Sequence, residues 1–360
     1  MRTFPFALLF FFSLAPFALA SKPDPKLLKI EPGYQIELFQ ADVEGARSLA
    51  HGPAGTVFVG TRGKKVFAIR NGKLTVLAKN LDTPNGIAFR DGDLYVGEVE
   101  QIVKFEKIEE ALQKNPIEIP KPKLVYKGLP HDGGHDWRYM RFAPDGSLYI
   151  SVGAPCNICN REKDEPRYAT IMRFAKLDGS APEIYAKGIR NSVGFDWHPK
   201  SKALWFTDNG RDWLGDDSPD DELNVAPKAG SHFGYPYCHA GTIPDPKLAE
   251  KRTCAEFVAP VEKLGPHVAS LGMRFLDENT VLIALHGSWN RSTPSGYRVM
   301  KLKLANGVPQ SYEPFIDGFR TQDGKVRGRP VDLDVQTDGS ILISDDQGDA
   351  IYRVTKNTSH

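Results

Sequence analysis

Six segments of the chain repeat one pattern, a short polar turn that runs straight into an apolar strand. They begin at His51 (His-Gly-Pro-Ala-Gly-Thr-Val-Phe-Val), Phe89 (Phe-Arg-Asp-Gly-Asp-Leu-Tyr-Val) and Phe142 (Phe-Ala-Pro-Asp-Gly-Ser-Leu-Tyr-Ile). The others begin at His198 (His-Pro-Lys-Ser-Lys-Ala-Leu-Trp-Phe), Phe275 (Phe-Leu-Asp-Glu-Asn-Thr-Val-Leu-Ile) and Gln336 (Gln-Thr-Asp-Gly-Ser-Ile-Leu-Ile). With turn centres at Gly55, Gly92, Gly146, Ser201, Asn279 and Gly339, the steps are 37, 54, 55, 78 and 60 residues. Asp-Gly or a polar substitute between apolar strands is a hairpin signal, because Gly and Asn tolerate the positive φ that such turns require. Further short strands lie between the hairpins, at Val66, Leu74, Ile102, Thr170, Tyr297 and Ile351, and only Ile108 to Gln113 reads as helix. Several strands per repeat at this spacing predict an all-β fold, a six-bladed β-propeller of four-stranded antiparallel blades. A sandwich would need fewer, non-repeating strands. The 33 Gly and 27 Pro fit a chain dense in turns, and neither collagen nor disorder.

The innermost strand of each propeller blade starts near the axis, so residues just upstream of equivalent turns converge there. Seven to twelve residues before the turn centres stand Arg47, Asn85, His135 with Arg138, Arg190 with Asn191, His267, and Arg329. The set is cationic and hydrogen-bonding, with few carboxylates nearby in sequence. Arg forks match carboxylates bidentately, so a pocket for an anionic ligand is expected; the alternative is that these side chains bond backbone carbonyls and close the blades. The longest step holds an insertion, about 208–265, rich in charge and aromatics, and an insertion on one face is where a site is expected. It contains Asp208, Asp212, Asp216, Asp217, Asp220, Asp221 and Glu222, hard oxygen ligands on a Gly-containing loop that suit Ca²⁺ without the EF-hand spacing. Asp345-Asp346-Gln347-Gly348-Asp349 reads as a weaker version of the same signal, a turn.

Met1 to Ala20 has one basic residue, an apolar run and a small-x-small end before Ser21, the pattern of a secretory signal peptide. Residues 21–360 would then form a single domain, periplasmic or secreted, with no membrane span after signal removal. An oxidising compartment favours disulfides, read here as Cys156 with Cys159 and Cys238 with Cys254. Zinc ligation fits their spacing poorly, and Asn160 after the CxxC rules out c-type haem attachment. A net charge of +1 gives no reason to expect nucleic acid as a partner. No GxSxG, HExxH, Walker A or Rossmann GxGxxG occurs.

Five pieces together resemble the soluble pyrroloquinoline-quinone (PQQ) dependent sugar dehydrogenases of the glucose, sorbosone and pyranose type. They are His135 ahead of Pro144-Asp-Gly-Ser-Leu-Tyr, Gly188-Ile-Arg-Asn-Ser-Val-Gly194, Asp221-Glu-Leu-Asn224 leading to Phe233-Gly-Tyr-Pro236, Gly328-Arg-Pro330, and His286-Gly-Ser-Trp-Asn-Arg291 with Gly296-Tyr297. The last points to the sorbosone and pyranose branch. The resemblance implies a propeller with PQQ over the channel mouth and Ca²⁺ against its quinone oxygens. It implies His135 as general base towards the anomeric hydroxyl, Arg190 as the cation beside the quinone, and Asn191 and Arg329 as cofactor-binding residues. Gly210 and Arg211 match the positions whose carbonyls hold the calcium, and Asp220, Asp221 and Glu222 resemble a second, structural calcium region. The quinone-gripping lysine of some relatives has no clean counterpart; Arg291 or His286 stands at that position. Many relatives carry Asp where this chain has Ala154, which leaves Asp132 or Asp136 to orient His135. Trp137, Tyr139, Trp213 and Trp289 could stack on a pyranose. Without a haem motif, electrons would pass to a separate acceptor. Two other functions are compatible with the residues: a calcium-dependent lactonase using Asn85 and Asn191, and a non-catalytic propeller that binds glycans or a partner protein.

Overall fold

A computed structural model describes residues 23–249 and 251–357; the expected signal peptide lies outside the described residues. The strands form six blades. The first holds Ala46–His51, Val57–Thr61, Val66–Arg70 and Lys73–Ala78, and the second Gly86–Arg90, Asp93–Gly97, Gln101–Phe105 and Lys123–Lys127. The third holds Met140–Phe142, Leu148–Val152, Thr170–Phe174 and Glu183–Lys187, and the fourth Phe195–Trp197, Leu204–Asp208, Asp220–Ala226 and Glu262–Pro266. The fifth holds Ser270–Asp277, Thr280–Leu285, Arg298–Ala305 and Val308–Asp317. The sixth takes Pro330–Val335, Ile341–Asp345 and Ala350–Lys356 from the end of the chain and Tyr34–Gln40 from its beginning, paired antiparallel to Ala350–Lys356. That pairing closes the ring and removes an open sheet edge.

All six turns expected from sequence join the first and second strands of a blade. Gly92 and Gly339 take φ of 86° and 79°, and in the fourth turn Lys202, next to the expected centre, takes the left-handed conformation at 59°. Burial follows position within the blade. Val57–Thr61, Leu148–Val152, Leu204–Asp208 and Ile341–Asp345 are buried throughout, because each second strand has a neighbouring blade on both faces. Outer strands such as Lys123–Lys127 are largely exposed. The core is correspondingly divided among the blade interfaces. Phe58, Val66 and Ala68 of the first blade pack with Ile87, Val96 and Phe105 of the second, and Leu282, Val299 and Phe315 of the fifth with Leu333, Ile343 and Tyr352 of the sixth.

Two departures from four-stranded blades occur. Lys29–Ile30 adds to the outer edge of the fifth blade, and Ser231–His232 adds a parallel strand to the third. The second addition comes from the insertion of the fourth blade, so this segment covers its neighbour's edge. Cys238–Cys254 staples that insertion and Cys156–Cys159 closes a loop of the third blade, the two disulfides expected from sequence. The helix at Ile108–Leu112 is also found, and among the described residues no helix is long and apolar enough to cross a membrane.

Candidate active site

At the mouth where the innermost strands begin, a cavity of about 480 Å³ opens on the channel. Six of the upstream residues expected to converge, Arg47, His135, Arg190, Asn191, His267 and Arg329, line it. Asn85 and Arg138 do not: they lie fully buried beneath it. The Asn85 amide nitrogen donates to the Arg138 carbonyl at 2.7 Å, and its oxygen accepts from Arg47 Nε at 2.8 Å. Arg138 spends its guanidinium on the carbonyls of Val99 and Pro130, so for these two the blade-closing role holds.

The second strand of each blade runs back towards the same mouth, and the residue after it forms a second ring: Arg62, Glu98, Gly153, Asn209, His286 and Asp346. Reading only upstream of the turns missed Arg62 and Asp346. Arg62 lies over the Trp137 ring at 3.7 Å from its centroid, and burial with the adjacent Arg47 presses its pKa down. Asp346, taken from sequence as a turn residue, is instead the counter-charge of this wall. It pairs with Arg47 Nη1 at 2.7 Å and with His286 Nε2 at 2.8 Å. Burial pushes the Asp346 carboxyl up, but His286 and Arg47 outweigh it and hold the group well below the usual range. Arg329 contacts only neutral groups, Tyr297 Oη at 3.2 Å, His286 Nδ1 at 3.4 Å and the Gly287 carbonyl at 3.5 Å. Arg62 and Arg329 therefore face the cavity without a carboxylate partner among the described residues.

His135 lines the same cavity. Its Nδ1 is 2.7 Å from the Ala154 carbonyl, which can only accept, so Nδ1 carries the proton and Nε2 keeps its lone pair. The orienting group is thus the backbone at the position where a side-chain carboxylate was missed, and neither Asp132 nor Asp136 serves. Asp132 pairs with Arg161 at 2.9 Å, and Asp136 accepts from the Gly133 amide at 2.8 Å. Burial, then the Arg190 charge, lower the His135 pKa to about 4, so the imidazole is neutral at neutral pH. Gly153 makes room for it, since a Cβ there would come within 2.5 Å of the His135 Cβ. The Arg190-Asn191 turn is held from below by Asp208, whose carboxylate accepts both backbone amides at 2.9 and 2.7 Å. Burial and the Glu222 charge raise the Asp208 pKa strongly.

The expected metal positions separate into two groups. Gly210 lines the cavity, and neither its carbonyl nor that of Arg211 accepts a hydrogen bond among the described residues. The Arg211 side chain points away, into a buried pair with Asp245, which also holds His239 Nε2 at 3.0 Å. Asp221 accepts the amides of Gly210 at 2.8 Å and Ser270 at 3.1 Å, and burial raises its pKa to about 6. Glu222 accepts from Asn224 and from the Ala240 amide, and burial raises its pKa too. Their carboxylates bind the protein's own N–H groups, and Asp220 merely opens the strand Asp220–Ala226. Among the described residues no group of three or more His, Cys, Asp or Glu side chains is arranged for a metal. Of the two candidates for the lysine position, His286 lines the cavity, whereas Arg291 ties down an outer loop through the Asp216 carbonyl and Asp217.

Ring closure by the terminal strand, together with a cavity lined by several cations and a neutral, backbone-oriented histidine, defines a six-bladed propeller with a basic pocket at one mouth. The chain belongs to the TrAA12-like family, whose model matches residues 28–357. An uncharacterised protein of Borreliella burgdorferi is 33% identical over 365 aligned positions, covering 95% of this chain and 94% of that one. The calcium structure of the Trichoderma reesei family AA12 carbohydrate-active enzyme superposes with a TM-score of 0.79 at 22% identity, covering 92% and 97% of the two chains. The holo PQQ domain of Coprinopsis cinerea pyranose dehydrogenase gives 0.77 at 18% identity, covering 94% and 98%.

Proposed function

We propose that the chain is an exported PQQ- and calcium-dependent dehydrogenase that oxidises the anomeric carbon of an aldose of the sorbosone or pyranose type and hands electrons to a separate acceptor. The observation that carries this reading is that one cavity is lined by both a neutral His135 and two unpaired cations, Arg62 and Arg329. When bound, PQQ would supply a quinone able to take a hydride, with a divalent ion to polarise it. Its residues fit that group. Arg329 and Arg62 offer forked donors to carboxylates. The unbonded carbonyls of Gly210 and Arg211 offer hard oxygens to calcium. Asn191, fixed by Asp208, and His286, fixed by Asp346, complete the wall. His135 Nε2 would take the proton of the substrate hydroxyl, and Ala154 would steady the imidazole by accepting from Nδ1. Arg190 would stabilise negative charge developing opposite the base. The two disulfides support an oxidising compartment. The lactonase alternative loses its support at Asn85, whose amide is fully engaged below the cavity.

Titrating the protein with PQQ in the presence of Ca²⁺, followed by dye reduction across an aldose panel, tests the proposal. Stoichiometric binding is expected, with turnover that falls by roughly 10²- to 10⁴-fold in His135→Ala. Bound PQQ with no turnover of any aldose would overturn the dehydrogenase. No PQQ binding, with Ca²⁺-dependent lactone hydrolysis, would replace it with the lactonase.

A further inference from the structure

The reading of His135 and Arg190 as the reacting pair leaves open what holds them in register, since they come from different segments. Both are gripped by one short loop. It follows the strand Leu148–Val152 of the third blade, and Cys156–Cys159 closes it into a ring. Ala154, two residues before the ring, accepts from His135 Nδ1, and its own amide donates to the Arg190 carbonyl at 2.8 Å. Asn157 lies within the ring. Its carbonyl accepts from Arg190 Nε at 2.9 Å and its Oδ1 from Arg190 Nη2 at 2.9 Å. The remaining bonds of that guanidinium go to the Asn209 carbonyl and Asp212 Oδ2, each at 3.2 Å.

Asn157 also reaches the segment that carries Gly210 and Arg211. Its Oδ1 accepts from the Asp212 amide at 2.8 Å, and its Nδ2 donates to the Asp212 carbonyl at 3.2 Å. The ring is anchored in turn by the buried Tyr235, whose hydroxyl accepts from the Cys159 amide at 3.0 Å. Asn157 itself does not line the cavity. An arginine in solution samples many rotamers, and fixing one costs entropy that a two-point grip prepays during folding.

We propose that Asn157, presented by the Cys156–Cys159 ring, is the positioning residue of the reaction centre. It sets the Arg190 guanidinium against His135 and locks segment 209–212 to the same frame. This inference rests on the roles given to His135 and Arg190 above, so its test has one arm that needs no turnover.

Asn157→Leu removes both polar side-chain atoms at similar size, and Asn157→Asp keeps the acceptor that serves Arg190 and the Asp212 amide. With PQQ and Ca²⁺, Asn157→Leu should lower kcat by about 100-fold while KM stays within about threefold. Asn157→Asp should recover most of the loss. In the cofactor-free protein, hydrogen exchange at the Asp212 amide should accelerate in Asn157→Leu and stay slow in Asn157→Asp. Unchanged exchange in Asn157→Leu overturns the clamp, and so does equal impairment of kcat in both variants. If the wild type binds PQQ but oxidises no aldose, the dehydrogenase reading falls and the exchange arm still decides the clamp. Should Asn157→Leu not fold, Cys156→Ala/Cys159→Ala decides by the same exchange, with fast Asp212 exchange expected and wild-type exchange refuting the clamp.

Discussion

The two ends of the channel are made by the same six innermost strands, yet their charges are arranged in opposite ways. At the far mouth, lined by His51, Phe89, Met140, Arg141, Arg274 and Asp334, every cation has an acidic partner. His51 pairs with Asp334 at 2.7 Å, Arg141 with Asp196 at 3.4 Å, and Arg274 with Asp332 at 3.4 Å. Val193, Leu271 and Val331 pack into one apolar cluster, of which Val193 and Leu271 also line the near cavity. At the near mouth Arg47 and Arg190 have partners in Asp346 and Asp212, but Arg62 and Arg329 have none among the described residues. The fully buried Arg274 needs its carboxylate partner, because buried charge is costly unless compensated, whereas the exposed Arg62 and the half-buried Arg329 keep their donors free for a ligand.

Three measurements would break or sharpen that contrast. The largest effect belongs to the far end. Arg274→Leu strands the fully buried Asp332 and should lower unfolding stability by about 3–5 kcal/mol in urea titrations. A loss no larger than that of Arg62→Gln would erase the distinction between structural and ligand-facing cations. Next, Arg329→Ala should weaken PQQ binding by about 1.5–3 kcal/mol, the worth of a charge-assisted hydrogen bond, whereas Arg141→Ala should leave it unchanged. Equal effects by calorimetry would place the ligand elsewhere. The smallest is protonation of His135. Because burial and Arg190 disfavour the cation, the ring should titrate near pH 4 in the cofactor-free protein and not near the ordinary value of 6.5. Lowering the pH through 6.5 should leave its imidazole resonances still, with the shift arriving near pH 4. Arg190→Gln removes the second cause and should raise that midpoint towards the ordinary value, by NMR.

Much of this contrast was legible in the chain. The Asp-Gly turns fixed blade count and strand direction, and strand direction alone placed His135, Arg190, Asn191 and Arg329 at one mouth. Arg62 and Asp346 carry the same kind of signal, because the residue after each second strand returns to the same mouth. Arg138 and Asn85 had the same upstream position as the cavity residues. What separates them is burial beneath the cavity, where Asn85 bonds the Arg138 carbonyl and Arg138 the Val99 and Pro130 carbonyls, which no sequence spacing reports. Carboxylates in the acidic run 220–222 read alike in sequence; in the fold, Gly210, Ser270 and Ala240 present amides to two of them, Asp221 and Glu222.

Local turn chemistry and apolar runs are short-range properties, so the sequence by itself determined the propeller, its six hairpins, its disulfide pairs and the end of the channel that would be basic. The tertiary structure decided which of those cations keep their charge uncompensated, since that depends on partners distant in the chain. Asp346 reaches Arg47 across the seam where the last blade meets the first. It also decided that Ala154, with no side-chain donor or acceptor, orients the histidine, because a backbone carbonyl is present at every residue and only folding aims it.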